Sequence, residues 1–328
     1  MRRTSLLARM IVACTALVLA GSALAQSSGY PERPVKIIVP FAAGGPTDVV
    51  ARLVAQKLSE RLGQQFYIEN MPGAGGNHGM GTASRAPGDG YTILIASSSY
   101  QVNPSLYARP TYDPERDFAP VTMAGAAPNG IFVHPSVPAN SLRELVDLLR
   151  AQPGKYAFAS PGVGTTPHLN SELFRYTYKL DFPLAPFAGG GPAIQSVVAG
   201  HTPVSIQTVP PGVLFVRDGK LRALGVAAKK RSPALPDVPT FEESGLSGQE
   251  GETMQGVFVP AATPKRIVDL LQGEIAAIIQ LPDIKDRMDA LGLEPGGMPP
   301  AEFAAYLNAD IAKWKKIITD AKIPLIGG

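Results

Sequence analysis

Val35-Lys36-Ile37-Ile38-Val39-Pro40-Phe41-Ala42-Ala43-Gly44-Gly45-Pro46-Thr47-Asp48 is the stretch that decides the fold. Residues 35–39 are mostly β-branched and apolar and read as a strand. Beyond Asp48 the apolar residues fall at Val49, Val50, Leu53, Val54, Leu58 and Leu62, the spacing of one helix face. Thr47 or Asp48 can cap that helix and Gly63 can end it. Strand, glycine-rich loop and helix follow one another, and the rest of the chain repeats the order.

Residues 66–68 form a second strand, followed by a glycine-rich turn, a short helix and a third strand at 91–95. In the middle, 131–133, 156–159, 204–206 and 223–226 read as strands. Residues 142–150 are helical behind Ser141, and 194–199 are helical behind Pro192, a favoured first-turn residue. A proline-rich extended segment at 232–239 and a short strand at 257–259 precede three helical stretches, 266–279, 284–291 and 303–321. Alternation of this kind predicts an α/β fold built on parallel sheets with helices on both faces.

Open parallel sheets bind ligands at the carboxyl ends of their strands. The loop from Pro40 to Asp48 lies at such an end. Gly44 and Gly45 allow close approach to the backbone, and the unpartnered N–H groups that follow can hold an anion without Lys or Arg. The same loop also reads as a plain tight turn with a cap. Ser97-Ser98-Ser99 offers hydroxyls after the third strand. Ser160-Pro161-Gly162-Val163-Gly164-Thr165-Thr166-Pro167-His168 repeats the first loop's construction, as does Phe187-Ala188-Gly189-Gly190-Gly191-Pro192. Such loops in both halves of the chain predict two lobes facing one ligand.

Catalytic and cofactor signatures are poor. There is no G-x-S-x-G elbow and no phosphate-binding P-loop. Gly73 to Gly79 lacks the spacing and the downstream acid of a dinucleotide site. His78, His134, His168 and His201 form no metal-binding pair. No cofactor and no enzymatic activity are expected, with Asp48 and His168 as the faint candidates for a base in the alternative reading, a secreted enzyme.

The 328 residues carry a formal charge of +3, 45% hydrophobic and 17% charged residues, and a single Cys. This excludes a disulfide framework and a Cys-based zinc site, and the weak charge argues against nucleic acid. Arg2, Arg3 and Arg9 precede an apolar run at 10–20, too short for the roughly 20 residues of a membrane span. Ala23-Leu24-Ala25 then fits a signal-peptidase site. Cleavage after Ala25 removes those three Arg and no acid, so the exported chain is formally neutral. A lipoprotein box ending at Cys14 and a twin-arginine signal at Arg2-Arg3 compete weakly.

Tyr30 to Arg52 (YPERPVKIIVPFAAGGPTDVVAR), ENMPGAGG from Glu69, APGDGYTILIASSS from Ala86, YDPERDFAPVT from Tyr112, FASPGVGTTPHL from Phe158, PFAGGGPAI from Pro186 and KKRSPALPDVPTFEESG from Lys229 together resemble the tripartite tricarboxylate transporter substrate-binding proteins, the Bug receptors. The resemblance implies a two-lobed periplasmic binding protein of type II. One lobe would comprise 26–125 and 226–328 and the other 126–225, after a signal peptide at 1–25. It implies a monomeric receptor that closes on a small organic carboxylate and passes it to membrane permease subunits. The ligand would be held by Phe41, Ala43, Gly44, Thr47 and Asp48, by Ser97 and Ser98, by Gly162, Gly164, Thr165 and Thr166, and by Ala188 and Gly189. A receptor that presents its ligand to a membrane sensor is a further alternative. Against the family pattern, Thr202-Pro203 stands where an acid is expected, Thr253-Met254-Gln255 where an aromatic is usual, and PFAGG replaces PYKGG. These departures predict a less polar cleft edge that favours a more apolar or aromatic carboxylate; the ligand expected from the resemblance is a small organic carboxylate, a dicarboxylate or an aromatic acid.

Overall fold

The computed structural model describes residues 29–247, 249, 251–320 and 325–327. The signal peptide expected at 1–25, the expected cleavage after Ala25 and Cys14 lie outside the described residues. The strands are β1 (Val35–Val39), β2 (Phe66–Asn70), β3 (Thr92–Ser97), β4 (Phe118–Val133), β5 (Phe158–Ser160), β6 (Leu184–Pro186), β7 (Val204–Thr208), β8 (Arg222–Val226), β9 (Glu252–Pro260) and β10 (Glu294–Pro295). The helices are α1 (Pro46–Leu62), α2 (Asn77–Ser84), α3 (Ser99–Leu106), α4 (Leu142–Ala151), α5 (Thr166–Tyr178), α6 (Gly190–Val198), α7 (Val213–Arg217), α8 (Lys265–Ile279), α9 (Pro282–Leu291) and α10 (Pro300–Asp320).

In the first half of the fold β1 lies between β2 and β3, parallel to both. β9 adds antiparallel to β3, and the first part of β4 adds antiparallel to β9. In the second half β5 lies parallel between β6 and β7. There β7 and β8 both pair antiparallel with residues 129–133 of β4. Each half is thus a parallel block of strand–loop–helix units, extended by antiparallel strands that connect the two.

β4, with 16 residues, serves both sheets and is the outward crossover. The return passes Gly251. Asn129 donates its N–H to the Gly251 carbonyl (3.0 Å), Gly251 to Ala227 (2.9 Å) and Ala227 to Asn129 (2.7 Å). Both crossovers therefore meet at Asn129.

The helix spacing read from the sequence matches the burial. Val50, Leu53, Val54 and Leu58 of α1 pack with Ile267, Leu271, Ile275 and Ile278 of α8 against one face of the first sheet. Full burial of each such side chain contributes about 1.5–3 kcal/mol. On the other face Tyr100 of α3 stacks on Phe258 of β9, with ring centroids 4.0 Å apart. The second sheet has its own two clusters, one around Phe158 and Leu145 and one around Phe132 and Ile194. Phe241 and Leu246 join the former and Leu235 and Val238 the latter, so the segment leading back from β8 packs on the second half.

The cap of α1 differs from expectation. Gly45 is the N-cap residue and Pro46 opens the helix, so Thr47 and Asp48 lie inside the first turn. Asp48 instead accepts the N–H of Gly44, outside the helix, at 3.1 Å. This is a capping-box contact shifted by one residue.

Candidate functional site

The loops at the carboxyl ends of β1, β5 and β6 meet between the two halves. Glycines let them approach. A Cβ on Gly45 would stand 3.6 Å from the Gly190 nitrogen, and one on Gly44 would stand 3.8 Å from the Gly191 Cα. Gly189, at φ +147°, holds a backbone conformation closed to other residues, and a Cβ there would stand 3.2 Å from the Ala42 nitrogen. The N-termini of α1 and α6 therefore face each other across this seam. Val49 in α1 and Ala193 in α6 are the first residues whose N–H groups reach a carbonyl one turn back, on Gly45 and Gly189. The earlier amides of each helix, Thr47, Gly190 and Gly191 among them, lack an intrahelical partner and carry the positive end of the helix dipole.

Thr47 is 2% exposed, and its hydroxyl makes no hydrogen bond among the described residues. Asp48 is committed elsewhere. Its Oδ2 accepts from Arg52 Nε (2.8 Å) and from Gly44 N (3.1 Å), and its Oδ1 accepts from Arg52 (2.9 Å) and Asn70 Nδ2 (3.0 Å). Asn70 also donates to the Phe41 carbonyl at 2.9 Å. Burial pushes the Asp48 carboxyl up, but these donors outweigh it and hold the group below the ordinary carboxylate range. Asp48 thus ties both ends of the first loop to α1 and β2, while Ala43 and Gly44 at the tip stay exposed. Phe41 is buried beneath Gly189.

Ser97 and Ser98 are buried. Ser97 Oγ lies 3.1 Å from Ser99 Oγ, and Ser98 Oγ accepts the Met254 N–H at 2.9 Å. In the second half Thr165 caps α5. Its hydroxyl donates to the Gly162 carbonyl (2.7 Å) and accepts from His168 N (3.4 Å). Thr166 Oγ1 lies 3.2 Å from Thr253 Oγ1 of β9, and Thr253 also donates to Asn129 Oδ1 at 3.2 Å. Asn129 in turn donates to Asn170 Oδ1 at 2.6 Å. A Cβ on Gly164, at φ +87°, would run into Asn103 Oδ1 of α3. Tyr107 donates its hydroxyl to the Val163 carbonyl at 3.2 Å. Ala188 is exposed at the tip of the third loop. The thirteen residues singled out from the sequence lie at strand ends, in the loops that follow them or in the first turns of α1 and α5, and Thr166 joins α5 to β9.

Asp48 and His168, the pair considered for base catalysis, share no contact. His168 receives the Gly164 N–H on Nδ1 at 3.5 Å and lies 3.9 Å from Glu172. Burial keeps its pKa below the ordinary imidazole value, against the opposing pull of Glu172. Among the described residues no group of three or more His, Cys, Asp or Glu could hold a metal ion, and no helix is long and apolar enough to cross a membrane.

Sequence reasoning missed Asn103, Asn129, Asn170 and Gln207, and named Thr253 only as a departure from the family pattern. Gln207 is the most conspicuous, fully buried at the carboxyl end of β7 with neither side-chain amide atom paired. Its signal was a long amide side chain near the carboxyl end of a short strand, where ligands bind.

Residues 50–323 match the model of the tripartite tricarboxylate transporter family receptor. BugT of Bordetella pertussis is 33% identical over 298 residues, covering 90% of this chain and 91% of BugT. Among solved structures, Rpa4515 of R. palustris with adipate superposes with a TM-score of 0.87 at 33% identity, over 90% of this chain and all of that one. MatC of Rhodopseudomonas palustris with bound malate gives 0.84 at 31%, over 88% of this chain and all of that one.

Proposed function

We propose, for a chain that belongs to the tripartite tricarboxylate transporter receptor family, the capture of a small organic carboxylate between the two lobes and its delivery to the membrane permease subunits. The observation that carries this reading is the opposition of two helix N-termini, α1 and α6, across a glycine seam, their first turns carrying no Lys or Arg. Oriented amides bind anions, and they do so without net charge, which suits a formally neutral chain. The lobes are 26–125 with 226–328, and 126–225, with the return segment before β9 packed on the latter. Binding follows a population shift, because a ligand that touches both lobes only when they are together favours closure.

The ligand is held by backbone at Phe41, Ala43, Gly44, Gly162, Gly164, Ala188 and Gly189 and by the hydroxyl of Thr47. Ser97, Ser98, Thr165 and Thr166 shape the walls, and Asp48 positions the first loop. The chain is exported behind a signal peptide cleaved after Ala25 and works as a monomer in the periplasm, without enzymatic activity. The relatives with adipate and malate bound support a carboxylate ligand. Native mass spectrometry of the protein purified from its own periplasm tests the assignment. One unchanged carboxylate per chain is expected. A converted product would make the protein an enzyme, and growth on that carboxylate after permease deletion would separate it from transport.

A further inference from the structure

We infer that Gln207 contacts the ligand directly and that the ligand is a carboxylate bearing a hydrogen-bond donor, a hydroxyl or an amine, beside the carboxyl group. The inference rests on the receptor reading above and narrows its ligand class. Gln207 pairs with Gly130 in the second sheet and is 0% exposed, yet neither Nε2 nor Oε1 has a partner within the protein. A buried polar group left unpaired carries its full desolvation penalty, so such a group in a folded protein calls for an explanation. Gly190 gives its location. A Cβ there would stand 3.5 Å from Gln207 Oε1, from Pro46 Cδ and from Pro211 Cγ. The Gln207 amide therefore lies where the first residue of α6 in one lobe meets the first residue of α1 in the other.

Donor and acceptor accounting then narrows the ligand. The helix N-termini present donors alone, which suits a carboxylate. Gln207 adds one donor and one acceptor, whichever way its amide is turned. An unsubstituted dicarboxylate is fully ionised at neutral pH and carries acceptors alone, so it would pair the Gln207 amide nitrogen and leave the amide oxygen unpaired. A hydroxyl or ammonium next to the carboxylate satisfies Gln207 at both atoms. Sites built to bond such a group discriminate strongly against analogues that lack it.

Isothermal titration of the purified protein with matched acids tests the inference: malate and aspartate against succinate, 2-hydroxyadipate against adipate, and mandelate against phenylacetate. In at least one set the substituted acid is expected to bind tenfold or more tighter than its parent. That ratio should fall below about threefold in both Gln207→Leu and Gln207→Met, each checked for folding by thermal unfolding. If Leu prevents folding, the unbranched Met carries the comparison. Parent and substituted acids binding within threefold in the wild type would overturn the inference and leave the receptor reading standing. So would a preference that survives both substitutions. Failure of every acid to bind would overturn both.

Discussion

The backbone amide of Ala42 donates to the carbonyl of Ala188 at 2.9 Å, a direct bond between the first loop of one lobe and the third loop of the other. It exists because the neighbouring positions carry no side chains. A Cβ on Gly191 would run into the Ala43 carbonyl. Gly191→Val is therefore expected to hold the lobes apart and lower carboxylate affinity at least tenfold, with little change in the melting temperature of the unbound protein. Titration calorimetry beside thermal unfolding checks this, and an affinity within threefold of wild type would remove the seam from the binding step.

Thr47 separates contact from scaffolding. Its hydroxyl is free of internal bonds at the start of α1, so Thr47→Val keeps the shape and removes one hydrogen bond. A loss of about 0.5–1.5 kcal/mol in binding is expected, with chemical stability unchanged within about 0.5 kcal/mol. Loss of stability without loss of affinity would assign Thr47 to the fold.

Asp48 should behave in the opposite way. Asp48→Asn breaks the paired bonds to Arg52 and is expected to cost about 1–3 kcal/mol of stability. The folded carboxyl titrates below its unfolded value of about 3.9. Its contribution is therefore complete above that value and lost as pH falls through the lower, folded one. Urea titrations at pH 7 and pH 3 should show a smaller gap between variant and wild type at the acid end.

His168 acts in a higher window. Its folded pKa is depressed by burial below the unfolded value of about 6.5. Between the two values the unfolded chain binds more protons, so stability falls as the solution is acidified below about pH 6.5. His168→Gln should flatten that part of the stability profile, measured by urea midpoints across the range. An unchanged slope would show that another group titrates there.

Much of this site was legible because its parts are local. The glycine, proline and hydroxyl residues of the loops at 40–48, 160–168 and 187–192 announce turns that open helices, and the apolar spacing from Val49 to Leu62 is that of α1. Longer-range features were not legible. No element is expected from the sequence at 100–130, yet Pro120, Gly125, Pro128 and Gly130 all lie within β4, whose pairing with β9 shifts register between Pro120 and Thr122 and between Met123 and Gly125. Bulges of this kind absorb residues that regular pairing rejects. The serine run at 97–99 reads only as a set of hydroxyls, with no helix expected after it. Burial of Tyr100, Val102 and Leu106 makes a helix of that segment. The role of Gln207 depends on which face of β7 meets α6, which only the assembled sheets determine.

The central claim, that the seam between α1 and α6 binds a small carboxylate, is tested most directly by thermal unfolding in the presence of a panel of mono-, di- and hydroxycarboxylates. A ligand at 100 times its dissociation constant stabilises the folded state by about 2.7 kcal/mol. At least one acid should therefore raise the melting temperature by roughly 3 °C or more, and the shift should vanish in Gly191→Val. A panel that leaves the transition of the wild-type protein unmoved, or a shift of equal size in that variant, would contradict it.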